Sequence, residues 1–428
     1  MSIVTKIKNV TGKFNKIRKE QGTRAAFDEV WALGTYVIYD RWKIRRLKKF
    51  PPALHPNRML FETNDDFTDN GRALFDYLVE NGYNQKYELV WLVHDPKKYE
   101  KYQAPNVKFV QSFKKGSTIR RAIAYRYALT SGYIFYTQAF NWIGMSRKNQ
   151  LFIDLWHGCG YKANKNNRKV FFDYCLVPGD VFIETKKEFF ACSSKKILPL
   201  GYPRYDLMLK GSARADRFKE RLLKDSGSDK LVLWMPTYRH ATSERLNEET
   251  LNNEFNIPII DDREKLLDLN KFCKENHILV VIKRHYLQIP YDFGENVLTN
   301  IVYLENSDLE KEGLQLYEFI HCADALVSDY SSVAIDYLLL DRPLGFTLDD
   351  YKEYTQSRGW VFENPLEYMP GEHIYDVKQF EQFLLDVKDG RDEYAAKRKA
   401  VREKLIMCVI ITVSVYWIIS TSQNRRGK

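Results

Sequence analysis

A chain of 428 residues, 44% hydrophobic and 29% charged, has the composition of a globular protein of about two domains, each able to bury a core. The formal net charge is +10, yet residues 1–50 carry 13 Lys+Arg against 4 Asp+Glu and residues 397–428 carry 8 against 1, which leaves the 346 residues between at −6. A mildly acidic body lacks the basic footprint that nucleic-acid phosphates require and excludes that partner, while basic ends suit an anionic membrane surface.

In MSIVTKIKNVTGKFNKIRKE the apolar residues Ile3, Ile7, Val10, Phe14 and Ile17 recur at spacings of four and three among lysines and arginines. That pattern predicts a basic amphipathic helix, able to lie in a membrane interface or to pack on another part of the protein or a partner subunit. RWKIRRLKKF at 41–50 adds a second basic cluster. Next, RMLFET (58–63) reads as a strand, GRALFDYLVENG (71–82) as a helix ended by glycine, and ELVWLV (88–93) and NVKFV (106–110) as strands. A helix over STIRRAIAYRYALTSG runs into the strand YIFY (133–136), and LFIDL (151–155) and VFFDYCLV (170–177) continue the series. Such β-rich runs alternating with helices predict a parallel sheet covered on both faces.

The pattern breaks at LPLGYPRYDLML and a charged region ending in KDSGSDK, then restarts. Strands are predicted at LVLWMPTYR, HILVVIKRH, IVYL, DALVSD and around LGFT, and helices at EKLLDLNKFCKEN, LQLYEFIHCA and SSVAIDYLLLD. The fold class is therefore α/β, with two Rossmann-like domains facing a central cleft. The expected segments are a basic membrane-associating stretch (1–50), an N-terminal Rossmann-like domain (51–200), a C-terminal Rossmann-like domain (201–400) and an apolar, basic tail (401–428). Within that tail LIMCVIITVSVYWIIS, 405–420, has no charge but falls short of the about 20 residues of a spanning helix. Six cysteines without CxxC pairs, and no signal-peptide pattern at the start, fit a reduced cytoplasmic setting without a zinc site.

Four polar stretches follow predicted strands, where α/β sheets bind ligands. In WHGCGYK, His157 can serve as a general base, Gly158 and Gly160 permit close approach of a ligand, and Lys162 adds charge. A lone histidine is more often structural; Lys162 just beyond it and a second strand-end histidine favour the functional reading. In IKRH, Lys283, Arg284 and His285 gather positive charge able to hold a diphosphate, although alternation turns Arg284 to the other face. Ser331 and Ser332 precede an apolar helix and offer either a phosphate cradle or a simple N-cap; Asp336 follows as an acceptor for sugar or polyol hydroxyls. Pro236, Thr237 and Arg239 follow the strand LVLWM as a further phosphate contact. No GxxxxGK[ST] loop is present, and the arrangement calls for no metal.

Together these stretches resemble the CDP-glycerol glycerophosphotransferase family over roughly residues 60–400. The histidine–glycine motif is similar to His157-Gly158 with Lys162, Cys159 replacing threonine and Gly160 and Tyr161 replacing proline and leucine. The GxPRxD segment is similar to Gly201–Asp206, with Arg204 implied in donor binding, and the PTxR motif to Pro236–Arg239. Lys283 stands where the family has arginine before His285, and Ser331, Ser332 and Asp336 match without departure.

The resemblance implies a GT-B-like fold and no cofactor beyond the donor, CDP-glycerol or CDP-ribitol. It also implies direct displacement, with His157 activating an acceptor hydroxyl and His285, Lys283, Arg204 and the serines holding the charge that develops on departing CMP. An undecaprenyl-linked or glycan acceptor and a peripheral site on the cytoplasmic face of a bacterial membrane follow, in teichoic acid or capsule synthesis. Self-association is left open. A GT-B glycosyltransferase using a nucleotide sugar and a non-catalytic envelope scaffold are the competing readings.

Overall fold

The computed structural model of the protein describes residues 14–15, 18, 22–35, 41–112, 118–137, 149–163, 171–237, 257–283, 298–357, 359–407 and 420. Two compact units emerge, one of Met1–Leu155, Phe171–Tyr174 and Ile419–Lys428, the other of Trp156–Val170 and Cys175–Ile418.

The first unit begins with helices α1 (Thr23–Thr35) and α2 (Arg41–Lys49). The expected amphipathic helix over 1–20 lies almost wholly outside the described residues. Strands β1 (His55–Glu62), β2 (Glu88–Val93), β3 (Val107–Gln111), β4 (Ser131–Tyr136) and β5 (Leu151–Asp154) follow, with α3 (Asp69–Glu80) after β1 and α4 (Thr118–Thr130) before β4. All pair in parallel, in the order β3-β2-β1-β4-β5. Every residue of β4 and β5 is buried, as strands covered on both faces must be. α3 places Ala73, Leu74, Phe75 and Leu78 in the core and stops at Asn81, with Gly82 in the left-handed region at φ +72°. Its aromatic core packs Phe61 on Trp91 and Phe135, at 5.3 and 5.1 Å between ring centroids. Phe67, at φ +57°, sets its ring edge-on to Trp91.

The short parallel pair β6 (Tyr174–Leu176) and β7 (Ile197–Leu198) flanks α5 (Phe182–Phe190). The strand expected over 170–177 shrinks to three residues, with Phe171 left 40% exposed. After α6 (Tyr205–Lys210) and α7 (Ala213–Ser226), the second unit alternates β8 (Lys230–Trp234), α8 (Arg263–Glu275), β9 (Ile278–Lys283) and β10 (Ile301–Leu304). Then come α9 (Asn306–Glu312), α10 (Leu316–Cys322), β11 (Ala325–Ser328), α11 (Val333–Tyr337), β12 (Leu344–Thr347), α12 (Tyr351–Ser357), β13 (Glu372–Ile374), α13 (Val377–Asp389) and α14 (Ala395–Leu405).

Local sequence explains the helix ends. The Ser212 hydroxyl accepts from the Ala215 N–H and Gly227 closes α7 at φ +64°, while Asp262 accepts from the Lys265 N–H at the start of α8. The sheet is all parallel in the order β10-β9-β8-β11-β12-β13, so the chain leaves β8, the first strand of this sheet, in one direction and returns on its other side. The carboxyl ends of β8 and β11 meet where that direction reverses, which is where such sheets hold ligands. The core beneath joins Val232, Trp234, Val280, Ile282 and Val327 to Leu266 and Leu269 of α8 and to Phe380 and Leu384 of α13. Of the apolar run 405–420, Leu405 closes α14; residues 408–419 lie outside the described residues.

Candidate active site at the strand-order reversal of the second unit

At the reversal the two strand ends are bonded to each other. Asp329, just beyond β11 and fully buried, accepts the Thr237 N–H at 2.8 Å and the Thr237 hydroxyl at 2.5 Å. This revises the expectation for Thr237: both of its donors are used to tie the β8 turn to the β11 turn, and neither is left for a phosphate. Pro236 beside it is buried, and Arg239 lies outside the described residues.

Ser331 and Ser332 follow Asp329 and are half-buried. Ser332 sits at the N-cap position of α11 without a side-chain capping bond, so the simple capping role does not account for its hydroxyl. The glycines of the HGCG stretch press directly on it. Gly158 has φ +135°, and a Cβ there would fall 2.4 Å from the Ser332 Oγ and 3.3 Å from an Arg204 guanidinium nitrogen. A Cβ on Gly160 would fall 3.1 Å from the Ser332 amide nitrogen. Only glycine fits at 158, and three motifs far apart in sequence converge on one small region.

Arg204 is 4% exposed; its Nη2 donates to Asp336 Oδ2 at 2.6 Å and its guanidinium carbon lies 4.3 Å from the Tyr317 ring centroid. Asp336 also accepts from Tyr205 at 2.8 Å and from the Tyr317 hydroxyl. The role expected for Asp336 is thus corrected. Its carboxylate is fully buried under three donors, and it orients Arg204 instead of facing a polyol. Burial, then the adjacent Asp336 charge, holds the Tyr205 phenol well above its ordinary pKa, so it stays a donor. Tyr205 and Tyr317 were not singled out from the sequence; their only sequence signal is that Tyr205 lies inside the GYPRYD stretch.

His157 is exposed, and its ring lies 4.2 Å from that of Trp156. Cys159 and Tyr161, expected to line the donor site, point inward instead. The Cys159 thiol accepts from the Tyr202 hydroxyl at 3.2 Å, and burial pushes its pKa up, with Lys186 pulling the other way. Tyr161 is fully buried, donating to the Tyr368 carbonyl at 3.0 Å. These two anchor the loop that carries His157 and Gly158. Lys162 forms a backbone bridge with Trp360, and its ammonium lies 5.5 Å from the Tyr354 ring centroid.

Lys283 ends β9 and is buried, on the same edge of the sheet as Thr237 and Ser331. Its charge is felt by Asp308 of α9. Arg284 and His285 lie outside the described residues. Among the described residues no group of three or more His, Cys, Asp or Glu is placed to hold a metal ion. The arrangement offers a histidine at the surface beside a rigid glycine–serine contact and a buried, oriented guanidinium, the elements that an anionic group being transferred requires.

Comparison with known proteins gives this geometry a context. The family model described as CDP-Glycerol:Poly(glycerophosphate) glycerophosphotransferase matches residues 44–408. The teichoic acid poly(glycerol phosphate) polymerase of Bacillus spizizenii is 26% identical over 331 residues, covering 71% of this chain and 77% of that protein. The teichoic acid glycerol-phosphate transferase of Staphylococcus aureus is 26% identical over 398 residues, covering 86% and 92%. Among solved structures, the wall teichoic acid polymerase TagF shares the fold at a TM-score of 0.67, with 19% identity over 94% of this chain and 97% of that one.

Proposed function

The chain belongs to the CDP-glycerol:poly(glycerophosphate) glycerophosphotransferase family, and from that premise we propose that it transfers glycerol phosphate or ribitol phosphate from a CDP-polyol to a hydroxyl of a lipid-linked acceptor, releasing CMP, in the synthesis of teichoic acid or a related cell-surface polymer. The observation that carries this reading is the contact of Gly158 and Gly160 with Ser332 beside Arg204, which joins the three matching motifs in one place.

In the proposed reaction the His157 imidazole takes the proton of the acceptor hydroxyl. The oxygen attacks the β-phosphorus, a new P–O bond forms, and the bond to the bridging oxygen breaks to release CMP. Arg204, held by Asp336, together with Ser331, Ser332 and Lys283, supplies donors and charge to the diphosphate as negative charge moves onto the leaving group. His285 is assigned to the leaving phosphate by family resemblance alone. Positioning and charge suffice for such a step.

The acceptor points to a membrane, and so does the start of the chain. Trp31, Trp42 and Phe50 are 69, 54 and 66% exposed, and the nine residues of α2, RWKIRRLKK, include six Lys or Arg. Exposed aromatics beside a basic helix suit the headgroup region of an anionic bilayer, so peripheral attachment at the cytoplasmic face is part of the proposal. No helix among the described residues is long and apolar enough to cross a membrane.

The reading is tested by incubating purified protein with CDP-glycerol, CDP-ribitol or a UDP-sugar and a lipid-linked acceptor. CMP release from a CDP-polyol, lost in His157→Ala, supports it; sugar transfer from the UDP-sugar with no CMP release replaces it with a glycosyltransferase.

A further inference from the structure

His157 is placed by its neighbour. Trp156 has φ +53°, a left-handed conformation that L residues other than glycine adopt only against a steric cost. The indole N–H of Trp156 donates to the Gly158 carbonyl at 2.7 Å, spanning His157 and closing the bend on either side of it. The His157 ring lies against the same indole at 4.2 Å, tilted by 43°. One side chain therefore fixes both the backbone on which the imidazole is mounted and the ring itself.

The indole is in turn held from behind. Phe190 of α5 meets it edge-on at 5.0 Å, and the ammonium of Lys186, one turn earlier, lies 4.2 Å from its centroid. Lys186 is only 6% exposed; it also approaches the Phe189 and Phe190 rings at 4.9 and 5.9 Å. Among the described residues its close partners are these three rings and the Cys159 thiol, whose pKa burial raises and its charge pulls down, with no ion pair to a carboxylate. A lysine buried on aromatic faces forgoes most of its hydration and the stronger attraction of an ion pair. Its position is explained by what it holds.

We infer that Trp156 is a positioning residue for His157, braced across the bend by its indole N–H and clamped in place by the ammonium of Lys186. The inference rests on the reading of His157 as the base. The brace ends on the Gly158 carbonyl, whereas Arg204 is held separately by Asp336 and Ser332 by its place at the start of α11, so its loss is expected to slow turnover more than it weakens donor binding. Movement of a base by about 1 Å costs one to two orders of magnitude in rate.

The test compares Trp156→Phe, Lys186→Met and Lys186→Arg in CMP release from CDP-glycerol with a lipid-linked acceptor, alongside thermal unfolding of each. Trp156→Phe keeps a ring but removes the N–H; Lys186→Met keeps the length but removes the charge. Both are expected to lower kcat about tenfold or more with KM for CDP-glycerol within about twofold, and Lys186→Arg to restore most of the rate. Lys186→Met is expected to unfold at the same or a higher temperature, because an apolar chain replaces a buried charge, so activity and stability part company. Unchanged kcat in Trp156→Phe and Lys186→Met, or a loss that tracks a falling melting temperature, overturns the inference. Absence of CMP release from the unsubstituted protein is a different failure, that of the functional reading itself, and is seen before any variant is compared.

Discussion

Replacement of Asp336 by alanine removes the carboxylate that holds Arg204, Tyr205 and Tyr317 together. The two charged side chains are 5 and 0% exposed, so bulk water has little access to the guanidinium that remains. Loss of one partner from a buried pair costs about 3–5 kcal/mol, and two buried phenols lose their acceptor as well, which places this substitution toward the upper end. For a unit of this size about 2–4 °C accompanies each kcal/mol, so the melting temperature should fall by roughly 10–20 °C. Differential scanning calorimetry reads this directly. The double variant Arg204→Met with Asp336→Leu removes both charges and fills the space, and is expected to recover most of the lost stability while remaining inactive with CDP-glycerol. Asp336→Ala melting within about 2 °C of the parent would refute the reasoning, as would a double variant with full turnover.

Gly158→Ala should be nearly inactive and less stable by about 1–3 kcal/mol, since its Cβ collides with Ser332 at a positive φ; turnover and urea unfolding check this. Acid should loosen the start of α14. Arg398, 1% exposed, donates to both oxygens of Asp392 at 3.0 and 2.6 Å, and these bonds hold the Asp392 carboxyl below the usual range despite partial burial. A depressed carboxyl contributes stability that is fully present above its unfolded pKa, about 3.9, and is lost as pH falls through the lower folded value. The urea midpoint should therefore fall from pH 5 toward pH 3, and fall less steeply in Asp392→Asn.

Parallel strands were legible because they are largely apolar runs: ELVWLV, IVYL and LGFT coincide with β2, β10 and β12. The run VFFDYCLV misled because Asp173 bonds the Phe152 amide and Phe171 faces outward, leaving three residues to pair. α13 carried a readable signal, Asp376 as a cap and Phe380, Phe383, Leu384 and Val387 at helical spacing, yet lay beyond the motifs that drew attention. At the site, strand-end motifs announced themselves by their position after apolar runs. What each side chain does there was not legible, since the bonds of Asp336 to Arg204 and of Asp329 to Thr237 join residues 132 and 92 positions apart. The same limit hid Lys186, which is one of many lysines in the sequence and is distinguished only by the rings that surround it.

In the proposed reaction the bond broken lies between the β-phosphorus and the oxygen that bridges it to CMP. CDP-glycerol labelled with 32P at the β-position, incubated with the protein and a lipid-linked acceptor, separates the two ways of cleaving this donor. The label is expected to pass to the acceptor in a one-to-one ratio with CMP released, and to stay in the donor when His157 is alanine. Label recovered in free CDP, with unphosphorylated glycerol on the acceptor, would contradict the account.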